Sequence, residues 1–252
     1  NEKAQDRTEQ FKAYAGKIAE IVQEVAEVTG DIAMHKLLMP GNPDGKKLII
    51  FITTDKGLCG ALNSNLFRKL DKDQLEEHIC ITVGKKGSGF ARARKIEVVA
   101  DYSGTEVTKS IPSLAEMVIA GFLSGKYSSV EIAFNRFVNS FTQEPTKIKI
   151  LPLEADIMVD DENAGSAQFL IEPSPRAVLN SLLPEYIENQ IRDAAYSAEA
   201  SEHSARMMAM KNATDNANNL SEDLTLEYNK LRQQDITMTI ADMVTARLAV
   251  EQ

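Results

Sequence analysis

From Glu185 to Gln252 the chain contains neither glycine nor proline. A helix uninterrupted over those 68 residues would reach roughly 100 Å at 1.5 Å per residue. No compact domain of this size has an interior that deep, so such a helix must leave its domain. Its middle, Ser197–Asn219, reads SAEASEHSARMMAMKNATDNANN and is nearly free of large branched side chains. Small side chains at helical spacing let a second helix come close. The stretch is built to be gripped along its length.

The formal net charge of −9 argues against a nucleic-acid binder that works by bulk electrostatics. No apolar run approaches the 18 residues that would suggest a membrane-spanning helix. The opening residues do not read as a secretory signal. With Asn1 first and no cap before it, the chain is expected to start inside a helix. Cys59 and Cys80 lie in apolar, strand-like settings outside any CxxC motif. Two reduced core thiols are the simplest reading, with a disulfide or redox pair as the alternative.

Residues 1–29 predict an amphipathic helix. Phe11, Tyr14, Ile18, Ile21, Val22, Val25 and Val28 recur at three and four, and the helix could continue to Leu38. Pro40–Gly45 breaks it. Lys47–Thr54 (KLIIFITT) is a continuous apolar strand of the kind buried on both faces of a parallel sheet. A loop at Asp55–Asn63, a helix near 64–76 capped by Ser64 or Asn65, and a strand at Ile79–Val83 follow. GKKGSGF at Gly84–Phe90 reads as a glycine loop. Residues 96–102 suggest a third strand. Pro112–Leu123 suggests a helix with Ser110 as its cap, and Val130–Asn139 and Ile148–Leu153 two more strands. The acidic stretch 154–165 reads as a surface loop. Ser174 and Pro175 then open the final helix, whose apolar side begins with Leu179, Leu182, Leu183, Tyr186, Ile187 and Ile191, with Pro184 a possible kink.

These elements predict a Rossmann-like α/β domain with a mainly parallel sheet, inserted between N- and C-terminal helices that form an antiparallel coiled coil. The expected boundaries are 1–38 for the first helix, 40–172 for the α/β domain and 174–252 for the long helix. If residue 29 pairs near 183, residue 1 pairs near 211. Residues 212–252 then lack a partner in this chain. Leu220, Leu224, Tyr228, Leu231, Ile236, Ile240, Met243 and Val244 are too many apolar residues to leave wet, so another protein is expected to cover them.

Little in the sequence points to bond chemistry. Gly84, Gly87 and Gly89 follow a strand, the right context for a phosphate loop, but give GxxGxG rather than GxGxxG. His35, His78 and His203 fall in separate elements, with no HExxH or GxSxG motif and no metal-ligand spacing. The expected catalytic, cofactor and metal residues are therefore none.

Five stretches, in order, resemble the gamma subunit family of F-type ATP synthase. TDKGLCGALN (Thr54–Asn63) is similar to the family's SDKGLCGGxN, and FNRFVNSFTQEP to its YNxFxS stretch. EPSPRAVLNSLLPEYIENQI resembles EPxxxxLLxxLLPxYxxxxI. ASEHSARMMAMKNATDNA (Ala200–Ala217) resembles ASExAARMxAMxxATDNA, and YNKLRQQDIT (Tyr228–Thr237) resembles YNxxRQxxIT. The resemblance implies a non-catalytic central-stalk rotor. It would couple proton translocation to ATP synthesis or hydrolysis by turning inside a ring of alpha and beta subunits. Epsilon and the c-ring would be its other partners, with contact to the membrane only through the complex. It implies contacts to the beta lever loops at Arg206, Lys211, Asp215 and Asn216, and to the catch loops and bearing at Arg232, Gln233 and Thr237.

The resemblance also implies a first helix that starts some two to three dozen residues earlier than this sequence does. Thr239 and Thr245 stand where the family pattern has glutamate and glycine. Six Arg and Lys against twelve Asp and Glu over 185–252 leave few cations for acidic lever loops. No cysteine-bearing regulatory insert of the chloroplast type is present. That favours a bacterial source, at the cytoplasmic face of the inner membrane, with the matrix side of the mitochondrial inner membrane as the alternative. The rival readings are a soluble nucleotide-binding α/β protein with helical arms and a coiled-coil scaffold unrelated to rotation.

Overall fold

The computed structural model describes residues 35–71, 75–105, 107–153 and 175–250. The predicted helix over 1–29, the acidic loop at 154–165 and the Ser174 cap lie outside them. The chain divides into two compact units, 1–206 and 207–252.

The first unit is built on a five-stranded sheet in the order β3-β2-β1-β4-β5. Its strands are β1 (Lys46–Ile52), β2 (His78–Val83), β3 (Glu97–Asp101), β4 (Tyr127–Phe137) and β5 (Gln143–Leu151). β1 pairs in parallel with both β2 and β4, and β2 with β3, while β5 is antiparallel to β4. The sheet is thus mixed and mainly parallel. Central β1 is buried from Leu48 to Ile52, as a strand covered on both faces must be.

Alternation sorts the side chains into two cores. Leu48, Ile50, Ile52, Ile81 and Ile132 face one side, Ile49, Phe51, Cys80 and Ala133 the other. The second side is covered by α1 (Leu62–Asp71) and α2 (Lys85–Ala93), through Leu66, Leu70 and Ala91. The first is covered by α3 (Val107–Leu123) and by the start of α4 (Pro175–Val250). Leu179, Leu183, Tyr186, Ile187 and Ile191 of α4 are buried in the same cluster as the sheet residues, and Leu182 is half-buried. The base of the long helix is therefore a core element of the α/β unit.

Several local expectations change. α1 begins at Leu62, so Ser64 and Asn65 are interior residues and not caps. Leu62, Leu66 and Leu70, buried at four-residue spacing, set its register. α3 begins at Val107, with Ser110 inside it and Pro112 in its second turn. Pro112 is exposed there, so the hydrogen bond it cannot donate is lost on the solvent side. Residues 36–39 form a turn, not a helical extension to Leu38. Leu37 is buried and its carbonyl accepts the Leu153 N–H at 3.0 Å, which ties this turn to the segment after β5. α4 does open at Pro175 and runs helical through Pro184.

The largest change is at GKKGSGF, which is helix α2 and not a loop. Gly84 is its N-cap at φ 103. A Cβ there would lie 2.1 Å from the Thr53 carbonyl oxygen, and one at Gly87 2.8 Å from Thr53 Oγ1. These two glycines bring the α2 N-terminus against the end of β1, which is a packing demand and not a phosphate demand.

Candidate functional site

Two regions are candidates, one in each unit. The first lies at the C-terminal ends of β1 and β4. The chain winds from β1 outward to β2 and β3, then returns to β4 on the other side of β1. Such a switch point leaves a crevice where open α/β sheets commonly bind ligands. Here α4 lies across it. The Ser201 hydroxyl donates to the Asn135 carbonyl at 2.9 Å, and the Phe137 N–H donates to Ser197 Oγ at 2.9 Å. A cleft of about 390 Å³ remains between α4 and the loop after β1.

The first turn of α2 borders this cleft, and its amide donors are already engaged. The Lys85 N–H donates to Asp55 Oδ1 at 2.9 Å, the Lys86 N–H to the Thr54 carbonyl at 3.1 Å, and the Gly87 N–H to Thr53 Oγ1 at 2.8 Å. Gly104 N–H also donates to Asp55 Oδ1, at 3.2 Å. A free helix N-terminus favours an anion; here the chain supplies its own carboxylate. Asp55 and Thr53 escaped the sequence reading as helix-capping groups. The signal was an Asp three residues past the end of β1, opposite a glycine that opens a helix.

The histidines are not brought together. His35 Nε2 is 3.0 Å from Asn180 Oδ1, and His203 is paired with Glu199 on α4. His78 lies 3.9 Å from Glu131, which Lys147 approaches to 3.3 Å. Burial lowers the His78 pKa, against the opposing pull of Glu131. Cys59 and Cys80 are both free and buried. Burial, aided by the charge of Asp101, pushes the Cys80 thiol up to about 12.

The second region is α4 beyond Met207. Every residue from Lys211 to Ala246 is exposed. Leu220, Leu224, Tyr228 and Leu231, at three- and four-residue spacing, form one apolar stripe, each more than half exposed. Ile236, Ile240 and Met243 form another. Of the residues expected at partner contacts, Arg206 belongs to the first unit: it pairs with Glu202, lines the cleft and is half-buried. Lys211, Asp215, Asn216, Arg232, Gln233 and Thr237 are all exposed on the second. Lys211 and Asp215 share a face, as do Gln233 and Thr237, whose hydroxyl donates to the Gln233 carbonyl at 2.8 Å. Asp215 and Gln233 each lie nine residues from Leu224, about two and a half turns, and so on the side away from it. From Lys211 to Ala246 the helix buries no side chain of its own.

The family model described as ATP synthase matches residues 1–250. The ATP synthase gamma chain of Pelotomaculum thermopropionicum is 36% identical over 255 residues, covering 99% of this chain and 88% of that one. The chain belongs to the ATP synthase gamma chain family. The fold also recurs at low identity among solved structures. The rotor of the Euglena gracilis mitochondrial ATP synthase in rotational state 1 aligns with a TM-score of 0.58 at 19% identity, covering 93% of this chain and 96% of that one. The OSCP/F1/c-ring assembly of the same enzyme in rotational state 3 contains a chain that aligns at 0.61 and 18% identity, covering 98% and 94%. These likenesses show the fold alone. Among the described residues, no helix is long and apolar enough to cross a membrane.

Proposed function

We propose that this chain is the central-stalk subunit of an F-type ATP synthase. It couples proton translocation to ATP synthesis or hydrolysis by rotating against the alpha and beta subunits, and it carries no catalytic site itself. Membership of the gamma family over residues 1–250 is the observation that carries this reading. Epsilon and the c-ring are its partners at the α/β domain. The segment before His35 pairs with the long helix as an antiparallel coiled coil, and the α/β domain, expected over 40–172, is inserted between the two. The complex holds the chain at the cytoplasmic face of a bacterial inner membrane; relatives named as ATP synthase gamma chains in bacteria support the bacterial source.

Arg206, Lys211, Asp215 and Asn216 contact the beta lever loops in this reading, and Arg232, Gln233 and Thr237 contact the catch loops and bearing. The exposed face of α4 supports the assignment. A row of leucines left in water across Leu220–Leu231 needs a cover, and polar groups on the opposite side give each neighbour a different surface. The rival reading, a nucleotide-binding α/β protein, lacks its phosphate site, because Asp55 and Thr53 already occupy the amides that open α2.

Coexpression with the alpha and beta subunits of a bacterial relative tests the proposal. A stable complex containing this chain, with ATPase activity sensitive to Arg206→Ala and Gln233→Ala, is expected. Micromolar binding of ATP to the isolated chain, without assembly, would favour the rival.

A further inference from the structure

The face of the first unit turned away from α4 has a feature the rotor reading leaves unused. α1 and α2 cover one side of the sheet, and the base of α4 packs on the other. Beside α1, α2 and the loop at 57–60 lies a groove of about 880 Å³. Phe67 of α1 and Phe90 of α2 both line it and stack, with ring centroids 4.3 Å apart and planes within 3°. Phe90 also meets Phe51 of β1 edge-on at 5.9 Å, so the stack is held to the sheet. Both stacked rings are only half-buried. Leu58, in the loop, is 74% exposed at the same groove. Arg68, Lys86 and Arg94 supply cations, and Asp71 is the one acid among the lining residues. Arg94 is committed: it donates to Asp71 at 2.5 Å and lies over the Phe90 ring. Arg68 and Lys86 are exposed, and among the described residues neither side chain makes an ion pair. Two uncompensated positive charges therefore flank an aromatic seat, on a chain whose formal net charge is −9.

We infer that this groove docks an acidic segment of a partner protein. One apolar or aromatic side chain of that segment sits against Phe67 and Phe90, and its carboxylates reach Arg68 and Lys86. Charge complementarity decides the occupant. A nucleic acid needs a longer run of cations than these two to hold its phosphates. A lone small anion makes no use of the aromatic seat or of Leu58. α1 has 10 residues and α2 has 9, about 14 Å of helix, which gives a peptide roughly two to three turns to lie against. The groove is on the side of the sheet opposite α4, so its occupant is not a neighbour that grips the long helix. The inference does not rest on the rotor reading.

The test is fluorescence anisotropy on the full chain. The probe is a labelled glutamate-rich peptide of about ten residues with one central phenylalanine. It is expected to saturate with Kd on the order of 100 μM at low salt, and more weakly as salt rises. Arg68→Glu and Lys86→Glu should each weaken it at least about tenfold. Both positions are exposed, so each variant should still unfold cooperatively like the parent chain. Lys36→Glu makes the same change of charge at an exposed position outside the groove, and should leave Kd within about twofold. A peptide with its phenylalanine replaced by glycine should bind about tenfold more weakly, which reads the aromatic seat apart from the charges. No saturation up to the order of 1 mM would overturn the inference. So would equal weakening by Lys36→Glu, which would mean bulk charge, or binding unchanged in both groove variants. Tighter binding of a single-stranded oligonucleotide or of anionic lipid vesicles than of the peptide would also overturn it.

Discussion

The Ser201 hydroxyl donates to the Asn135 main-chain carbonyl at 2.9 Å, and neither residue is more than 3% exposed. This bond joins the long helix to the end of β4, within the unit that ends at Arg206. It stands beside the Phe137–Ser197 bond and the apolar packing of the helix base on the sheet. Ser201→Ala keeps the volume nearly constant and removes one buried bond. It should lower unfolding stability by about 1 kcal/mol, read from denaturant midpoints of the full chain. Ser201→Leu should cost more, because the site has no space for three extra carbons.

Gly84 and Gly89 lie five residues apart and should respond in opposite ways. A Cβ at Gly84 meets the Thr53 carbonyl oxygen at 2.1 Å, at a φ of +103. Gly84→Ala should destabilise by about 3 kcal/mol or more, from strain and overlap together. At Gly89, inside α2, an added Cβ meets nothing within 4 Å. Gly89→Ala should stabilise by about 0.5–1 kcal/mol, because alanine loses less backbone entropy in a helix. Thermal melts of the two variants decide the matter.

Among the described residues, Asp101 and His78 both make the fold less stable in acid. Burial disfavours a charged Asp101, but hydrogen bonds from the Ser103 N–H and from the Ser88 hydroxyl outweigh it and hold the pKa at about 2, below the usual 3.8. A depressed carboxyl stabilises the fold above its unfolded pKa, and that stability is lost as pH falls from about 4 toward 2. His78, lowered chiefly by burial, is depressed in the same sense. It favours unfolding as pH drops below about 6.5, where the unfolded chain binds a proton and the fold resists it. Chemical denaturation against pH should show both losses. Asp101→Asn should flatten the lower one, and His78→Gln the upper.

How far the sequence reached depends on which forces act locally. β1 was legible because an unbroken apolar run admits few settings, and α4 because nothing in 68 residues interrupts it. α2 was misread because its glycines answer to Thr53, which is 31 residues from Gly84 in the chain. No window around GKKGSGF contains that neighbour. The starts of α1 and α3 shifted for a related reason: buried leucines and isoleucines fixed the helices, and the serines near them became ordinary interior positions. At the candidate sites, the motifs located the exposed stretch of α4. They gave no sign of Asn135, which matters through its buried main-chain bond to Ser201.

The stretch of α4 from Met207 onward should change its protease sensitivity on assembly. Lys230 and Arg232 are exposed, in a segment whose large apolar residues face water. Trypsin should cut the free chain there and spare the same bonds once alpha and beta subunits cover them. Mass spectrometry of the fragments with and without partners gives the comparison. Equal cutting in both states would show that no partner covers this part of the helix.

The central claim is that this chain turns. Ser113, exposed on α3, can be replaced by cysteine to carry a probe, since both native cysteines are buried. The measurement is single-molecule observation of that probe in a surface-anchored complex with alpha and beta subunits. Added ATP should drive continuous rotation in one direction, slowed or uncoupled by Arg206→Ala. A complex that assembles and hydrolyses ATP while the probe stays fixed would contradict the account.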